Sequence, residues 1–399
     1  MNISPLTINV TGEEIVLNYQ VSFANKECTL WYSIAKDYQS FVTEALDGPV
    51  VALLIPAMKI GEDIHIAGSI SERLFYNLSR PYQVLLKHLI PSLNLIKIYC
   101  NNLIVRNVRA PGVATGFSCG IDSFCLLADH YYSNVTKGFK ITHLLFNNVG
   151  SHGTGNEHLF NERYSKNAPL AEKIGLPLIK VNSNLDHFYQ NYQYSHTETP
   201  RNVSVPLILQ NGLGRFLYAS TYSYPDTYIR PSTLMSHSDP AALPLLSTES
   251  LDIHASGSEY TRVMKTLRVA SIEDSFYFLD VCTNPTKAGN CSKCKKCLRT
   301  LLTLEIAGLI DKYSKAFDLL IYKRGRKKFM GEVLSSNDPF LREIAQYAKD
   351  QRYSFPFESY LYSIQFFVNR HFLNFQQGMH ELISRLKKTN YVNNNQLSK

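Results

Sequence analysis

The chain has 399 residues, with 41 Lys and Arg against 33 Asp and Glu, giving a net charge of +8. The hydrophobic fraction of 45% is ordinary for a soluble protein; with no basic segment leading into an apolar signal core and no apolar run long enough for a bilayer, a cytoplasmic protein is expected. The length predicts two or three domains with a sizeable core. In a reducing compartment, four cysteines crowded between positions 282 and 297 argue for a metal rather than for disulfides.

Residues 1–108 predict an accessory α+β domain. Leu6-Thr-Ile-Asn-Val, Glu14-Ile-Val-Leu-Asn-Tyr and Cys28-Thr-Leu-Trp-Tyr have strand patterns. Pro49-Val-Val-Ala-Leu-Leu-Ile is a continuous apolar run, followed by Asp63-Ile-His-Ile-Ala-Gly. Residues 71–78 have helical spacing behind a Ser cap, and residues 93–99 read as a further strand. No catalytic constellation appears here; substrate presentation, homodimerisation and binding of a protein partner are the roles open to this segment.

Residues 109–305 alternate strand and helix, which predicts an α/β fold with a doubly wound parallel sheet. Strands are expected at 112–117, 141–148, 177–182, 227–230 and 276–281, and helices at 158–174 and 214–222. Residues 306–399 predict a helical C-terminal region, with helices continuing to 310 and at 339–350, 357–371 and 378–388, and a polar end at 390–399. The basic run Lys323-Arg324-Gly325-Arg326-Lys327-Lys328 reads as a solvated helix end; nucleic acid is the less favoured reading.

The stretch Gly116-Phe117-Ser118-Cys119-Gly120-Ile121-Asp122-Ser123 joins the first strand of this α/β segment to an apolar helix. Small residues at a strand-to-helix junction expose backbone N–H groups to an anion, and the hydroxyls of Ser118 and Ser123 add donors. No Gly-Lys-Ser/Thr follows, so it is not a Walker loop, and the three-glycine dinucleotide spacing is missing. Ligands of such sheets bind at the strands' carboxyl ends, where Asn147 and Asn148 also finish a strand and Gly150-Ser-His-Gly-Thr-Gly forms a loop. Further on, Arg262 and Lys265 are three apart, so on a helix they share a face and suit phosphate. His237 and Asp239 are candidates for substrate or Mg2+, with a surface turn as the equal alternative.

Cys282, Cys291, Cys294 and Cys297 are spaced C-x8-C-x2-C-x2-C in polar surroundings. Four thiolates with no open position suit structural zinc, and an iron–sulfur cluster takes the same set.

The pattern Ser-x-Gly-x-Asp-Ser resembles the loop of the PP-loop ATP pyrophosphatases, usually Ser-Gly-Gly-x-Asp-Ser. This chain departs from it at Cys119. Loop and cysteine block together resemble 7-cyano-7-deazaguanine synthase over about residues 110–305, leaving the N-terminal segment and the helical tail uncovered. The resemblance implies a diverged relative that binds ATP and Mg2+ with residues 118–123, releases AMP and pyrophosphate, and holds zinc at the four cysteines. It implies catalytic roles for Ser118, Asp122, Ser123, Arg262 and Lys265, and nucleotide contacts from Ser118, Cys119, Gly120, Ile121, Asp122, Ser123 and Asn147. The expected activity is an AMP-forming carbon–nitrogen ligase acting on a small molecule or a protein terminus. Relatives of the synthase occur in bacterial anti-phage gene clusters, so a defence role is one expectation. The rivals are an RNA-thiolating enzyme, for which Cys119 would be a nucleophile, and a non-catalytic nucleotide-binding scaffold.

Overall fold

The computed structural model describes residues 1–153 and 156–369. The expected helix at 378–388, the end of that at 357–371 and the polar segment 390–399 lie outside the described residues.

One sheet carries strands β1 (Asn2–Ile3), β2 (Thr7–Thr11), β3 (Glu14–Phe23), β4 (Lys26–Ala35), β5 (Ile64–Ser71), β6 (Ile98–Ile104), β7 (Gly112–Gly116), β8 (His143–Asn148), β9 (Leu178–Ser183), β10 (Leu213–Ala219) and β11 (Asp252–Ser256). Its order is β11-β10-β7-β8-β9-β4-β3-β1-β5-β6, with β2 also on β3. The sheet is mixed. From β11 to β9 every pair is parallel, β9 meets β4 antiparallel, and β4, β3, β2 and β1 pair antiparallel before β1, β5 and β6 return to parallel. The sheet therefore draws strands from both the 1–108 and the 109–305 segments.

By contacts the chain forms two compact units. The first is Met1–Cys291 with Asp311–Phe317, and the second is Ser292–Ile310 with Asp318–Lys399. The second unit contains the helices Lys295–Ile306, Leu319–Ser335 and Pro339–Asp350 and a helix over 357–369.

Local sequence explains most elements. β3 alternates buried residues with part-buried or exposed ones because one face meets the core. Ala24 and Asn25, at φ 51° and 60°, make the two-residue turn into β4, the backbone hand that suits the twist of a hairpin. The apolar run at 49–55 is part of the helix Asp47–Ile60, buried from Asp47 to Met58. A helix apolar all round has no solvent face to reveal its period. It packs closely on the helix Glu198–Ile208: a Cβ on Gly48 would come within 2.7 Å of the Ser204 carbonyl oxygen. At its start the buried carboxylate of Asp47 accepts from the Ser71 N–H, the Ser71 hydroxyl and the Gln210 amide.

Several expected elements differ. The expected helix at 214–222 is β10. Buried on both sides between β7 and β11, it lacks the alternation that marks a half-exposed strand. The expected strand at 227–230 is irregular, with Tyr228 stacked on His237. The strand in that part of the chain is instead β11, an edge strand that buries only Ile253 and so has little apolar signature. The expected strand at 276–281 is a helical turn, Ser275–Phe278, followed by irregular chain. The strand expected at 93–99 starts later, at Ile98.

Candidate functional site

β7 lies between β8, which follows it in sequence, and β10, which comes after a return from the far side of β9. The direction of winding reverses at β7, and open parallel sheets of this Rossmann-like kind bind ligands at such a reversal, beyond the strands' carboxyl ends. Residues 117–120 leave β7 at that point and Ser220 leaves β10 beside them.

The loop is held from below. The Phe117 N–H bonds the Leu145 carbonyl at 2.8 Å, and the Asp280 N–H bonds the Cys119 carbonyl at 2.8 Å. The Ser123 hydroxyl donates to the Gly120 carbonyl at 3.1 Å and accepts the Ser118 N–H at 3.4 Å, so it staples the loop. Gly120 caps the helix Ile121–Leu127 without any side-chain cap. Ser118 is exposed, while the side chains of Cys119 and Ile121 point into the core and leave only backbone groups for a ligand. Cys119 has φ 56°, the left-handed region that glycine takes freely and an L side chain takes at a cost of about 1–2 kcal/mol. Burial first, and then the Asp280 charge, push its thiol well above the ordinary cysteine range. A fully buried, protonated thiol does not fit the nucleophile that an RNA-thiolating enzyme would need.

Asp122 draws the two expected cations to the loop. Its Oδ2 accepts from Arg262 Nη1 at 2.9 Å and its Oδ1 from Lys265 Nζ at 3.1 Å. Both come from the helix Arg262–Val269, which Thr261 caps by accepting the Met264 N–H at 3.2 Å. Arg262 is 6% exposed and Lys265 1%, so this pair faces inward rather than to solvent. Their other hydrogen bonds go to the chain leaving β10: Arg262 Nη2 to the Thr221 carbonyl at 3.3 Å, and Lys265 Nζ to the Ser220 carbonyl. Burial raises the Asp122 pKa, but the charges and hydrogen bonds of Arg262 and Lys265 outweigh it, and the carboxyl is held below its usual range. One carboxylate thus faces two buried cations at the reversal point. Polar atoms at the same strand ends are left over: the hydroxyls of Ser220 and Ser258 and Oδ1 of Asn147, at the ends of β10, β11 and β8, are buried without a hydrogen-bond partner among the described residues. Asn148 instead bonds Asn182 at 2.7 Å.

His152 is buried against Asn148 and Ser151, and its pKa falls to about 4 through burial and the Arg163 charge. His237 and Asp239 are core residues, not a surface turn. His237 is stacked between Tyr222 and Tyr228, and Asp239 is fully buried with Thr199 donating to it at 2.7 Å. Burial above all pushes the Asp239 pKa well up.

The sulfurs of Cys282, Cys291, Cys294 and Cys297 all lie within 4.8 Å of one another, and this is the metal-capable group found among the described residues. A tetrahedron with metal–sulfur bonds of about 2.3 Å has edges of about 3.8 Å, so the four thiols are gathered closely enough to hold a metal such as zinc. Cys294 precedes the helix Lys295–Ile306 and Cys297 lies in its first turn. Asp280 braces the approach: its carboxylate accepts the Cys282 N–H at 3.2 Å and the Gly289 N–H at 2.9 Å. This is a supporting residue that sequence reasoning missed, and its place two residues before the first cysteine was the available signal. No described helix is long and apolar enough to cross a membrane. Comparison with known proteins finds no matching family model, curated protein or solved structure.

Proposed function

We propose that the chain is an ATP pyrophosphatase of the PP-loop type, with a doubly wound α/β domain, working as an AMP-forming ligase. ATP is taken at residues 118–123, with Arg262 and Lys265 on the outer phosphates. An oxygen of a substrate carboxylate or amide attacks the α-phosphorus, the bond to the β-phosphate's bridging oxygen breaks, and pyrophosphate leaves. Ammonia or an amine then attacks the activated carbon and AMP departs. Mg2+ would neutralise phosphate charge, with Asp122 as the protein's carboxylate. Zinc at the four cysteines is structural in this reading, because a full thiolate set has no open position.

The observation that carries the reading is the burial of Arg262 and Lys265 against Asp122 beside the loop. Burying two cations is costly unless an anion compensates, and a pair next to a strand-to-helix loop suits a departing pyrophosphate. The loop has no lysine to reach a γ-phosphate as a Walker loop does. The test is ATP labelled on the α- or the γ-phosphate: labelled AMP and pyrophosphate are expected, and turnover that gives only ADP and phosphate rejects the assignment.

A further inference from the structure

We propose that the second compact unit binds single-stranded nucleic acid along the exposed face of the helix Leu319–Ser335. The inference stands apart from the nucleotide reading and uses none of its residues.

Charge is divided unevenly between the units. The second unit carries 17 Lys and Arg against 8 Asp and Glu, a net +9, leaving the first at −1 of the chain's +8. The basic run lies inside a helix, not at its end. Lys323, Arg324, Lys327 and Lys328 follow i, i+1, i+4, i+5, which puts them on one face, and all four are exposed. The carboxylates of this unit are largely engaged elsewhere. Glu305 takes Arg326, Tyr322 and Tyr353, Glu332 takes Lys295, Asp318 and Asp338 cap helices, and Glu358 takes Lys327. Lys323, Arg324 and Lys328 have no ion pair among the described residues.

Exposed aromatic rings lie on the helix packed against this one. A Cβ on Gly331 would come within 2.8 Å of the Ser359 carbonyl oxygen, so the helix over 357–369 crosses Leu319–Ser335 in backbone contact. The Lys327–Glu358 pair, at 2.5 Å, brings its first turn beside the basic run. That turn shows Phe357 73% and Tyr360 49% exposed. Lysines and arginines along a backbone with aromatic faces for the bases are the parts that hold single strands, and unpaired bases offer the rings a face that a duplex hides.

The test is fluorescence anisotropy of the full chain with labelled oligouridylate and oligodeoxythymidylate across a salt series. Phosphate contacts from the three cations Lys323, Arg324 and Lys328 predict a slope of log affinity on log salt near −2, or a roughly twentyfold loss between about 50 and 200 mM salt. The variant K323Q/R324Q/K328Q should flatten that slope to near zero while leaving the melting temperature unchanged, and Phe357→Ala should weaken binding at least fivefold without altering the slope. No binding at low salt, a slope that the triple variant leaves unchanged, or equally good displacement by polyglutamate would each overturn the proposal, the last in favour of an acidic protein partner.

Discussion

Asp122 and Arg262, 140 residues apart in sequence, meet at 2.9 Å, and Lys265 takes the other oxygen of the same carboxylate. Removing Asp122 therefore does two things. Under the proposed function it deletes a group at the phosphate site, which should lower turnover by roughly a hundredfold or more. It also strands two buried cations, an imbalance of the kind that costs about 3–5 kcal/mol when both partners are buried and less here, because Asp122 is 27% exposed. Asp122→Asn should accordingly melt lower than the parent chain. Inorganic pyrophosphate should raise the melting temperature of the variant more than that of the parent, since it returns negative charge to Arg262 and Lys265. Equal shifts in both proteins would count against pyrophosphate sitting on this pair.

Asp239 gives a pH signature. Its folded pKa lies well above the usual value, mainly through burial, aided by Glu198 and opposed by the Thr199 hydrogen bond. Folding then takes up a proton at any pH between the unfolded value near 4 and the raised folded value. Stability contributed by this group is present below the unfolded value and lost as pH rises. Asp239→Asn keeps an acceptor for Thr199 and removes the titration. Its melting temperature relative to the parent should improve from about pH 5 to about pH 8; a constant difference would show that Asp239 does not titrate this way.

The cysteine cluster was legible because ligand spacing is a local property: three of its members fall within seven residues, 291–297, and only Cys282 comes from farther away. The loop at 116–123 and the shared face of Arg262 and Lys265 were legible for the same reason. What spacing could not supply was their meeting, which depends on β10 and β11 bringing Ser220 and the helix Arg262–Val269 beside β7. Those were the poorly read strands, one too buried to alternate and the other too polar to stand out. Asp280 escaped notice because half of its role belongs to its backbone N–H, which no side-chain pattern announces.

The chain as purified should carry about one zinc, as a complete thiolate set implies. Cys294→Ser should lower metal content and melting temperature together. It should not abolish turnover selectively at temperatures where the variant stays folded. Reduced, folded protein with neither zinc nor iron would reject the site, and iron with labile sulfide would make it a cluster.

The last prediction follows from Asp280 serving both places. Its N–H holds the Cys119 carbonyl and its carboxylate holds the Cys282 and Gly289 N–H groups, so loss of order at the cysteines is expected to loosen the floor of the loop. Cys119 reports on that floor because its thiol is fully buried and its pKa is pushed well above the ordinary cysteine range, and alkylation needs an exposed thiolate. Cys125 is the internal control. It too is buried, with a pKa pushed up to about 12, but it sits on the helix Ile121–Leu127 without contact to Asp280 in the hydrogen-bond pattern. With iodoacetamide at mildly alkaline pH and peptide mapping by mass spectrometry, both thiols should react at least a hundredfold more slowly than in urea, since labelling requires local opening. Stripping the metal with a chelator should speed labelling of Cys119 by about tenfold or more while Cys125 stays protected, as expected if the opening is confined to the loop and costs over about 1.4 kcal/mol less than before. Equal acceleration at both cysteines would mean that metal loss unfolds the unit as a whole, and no acceleration at Cys119 would mean that Asp280 does not couple the cluster to the loop.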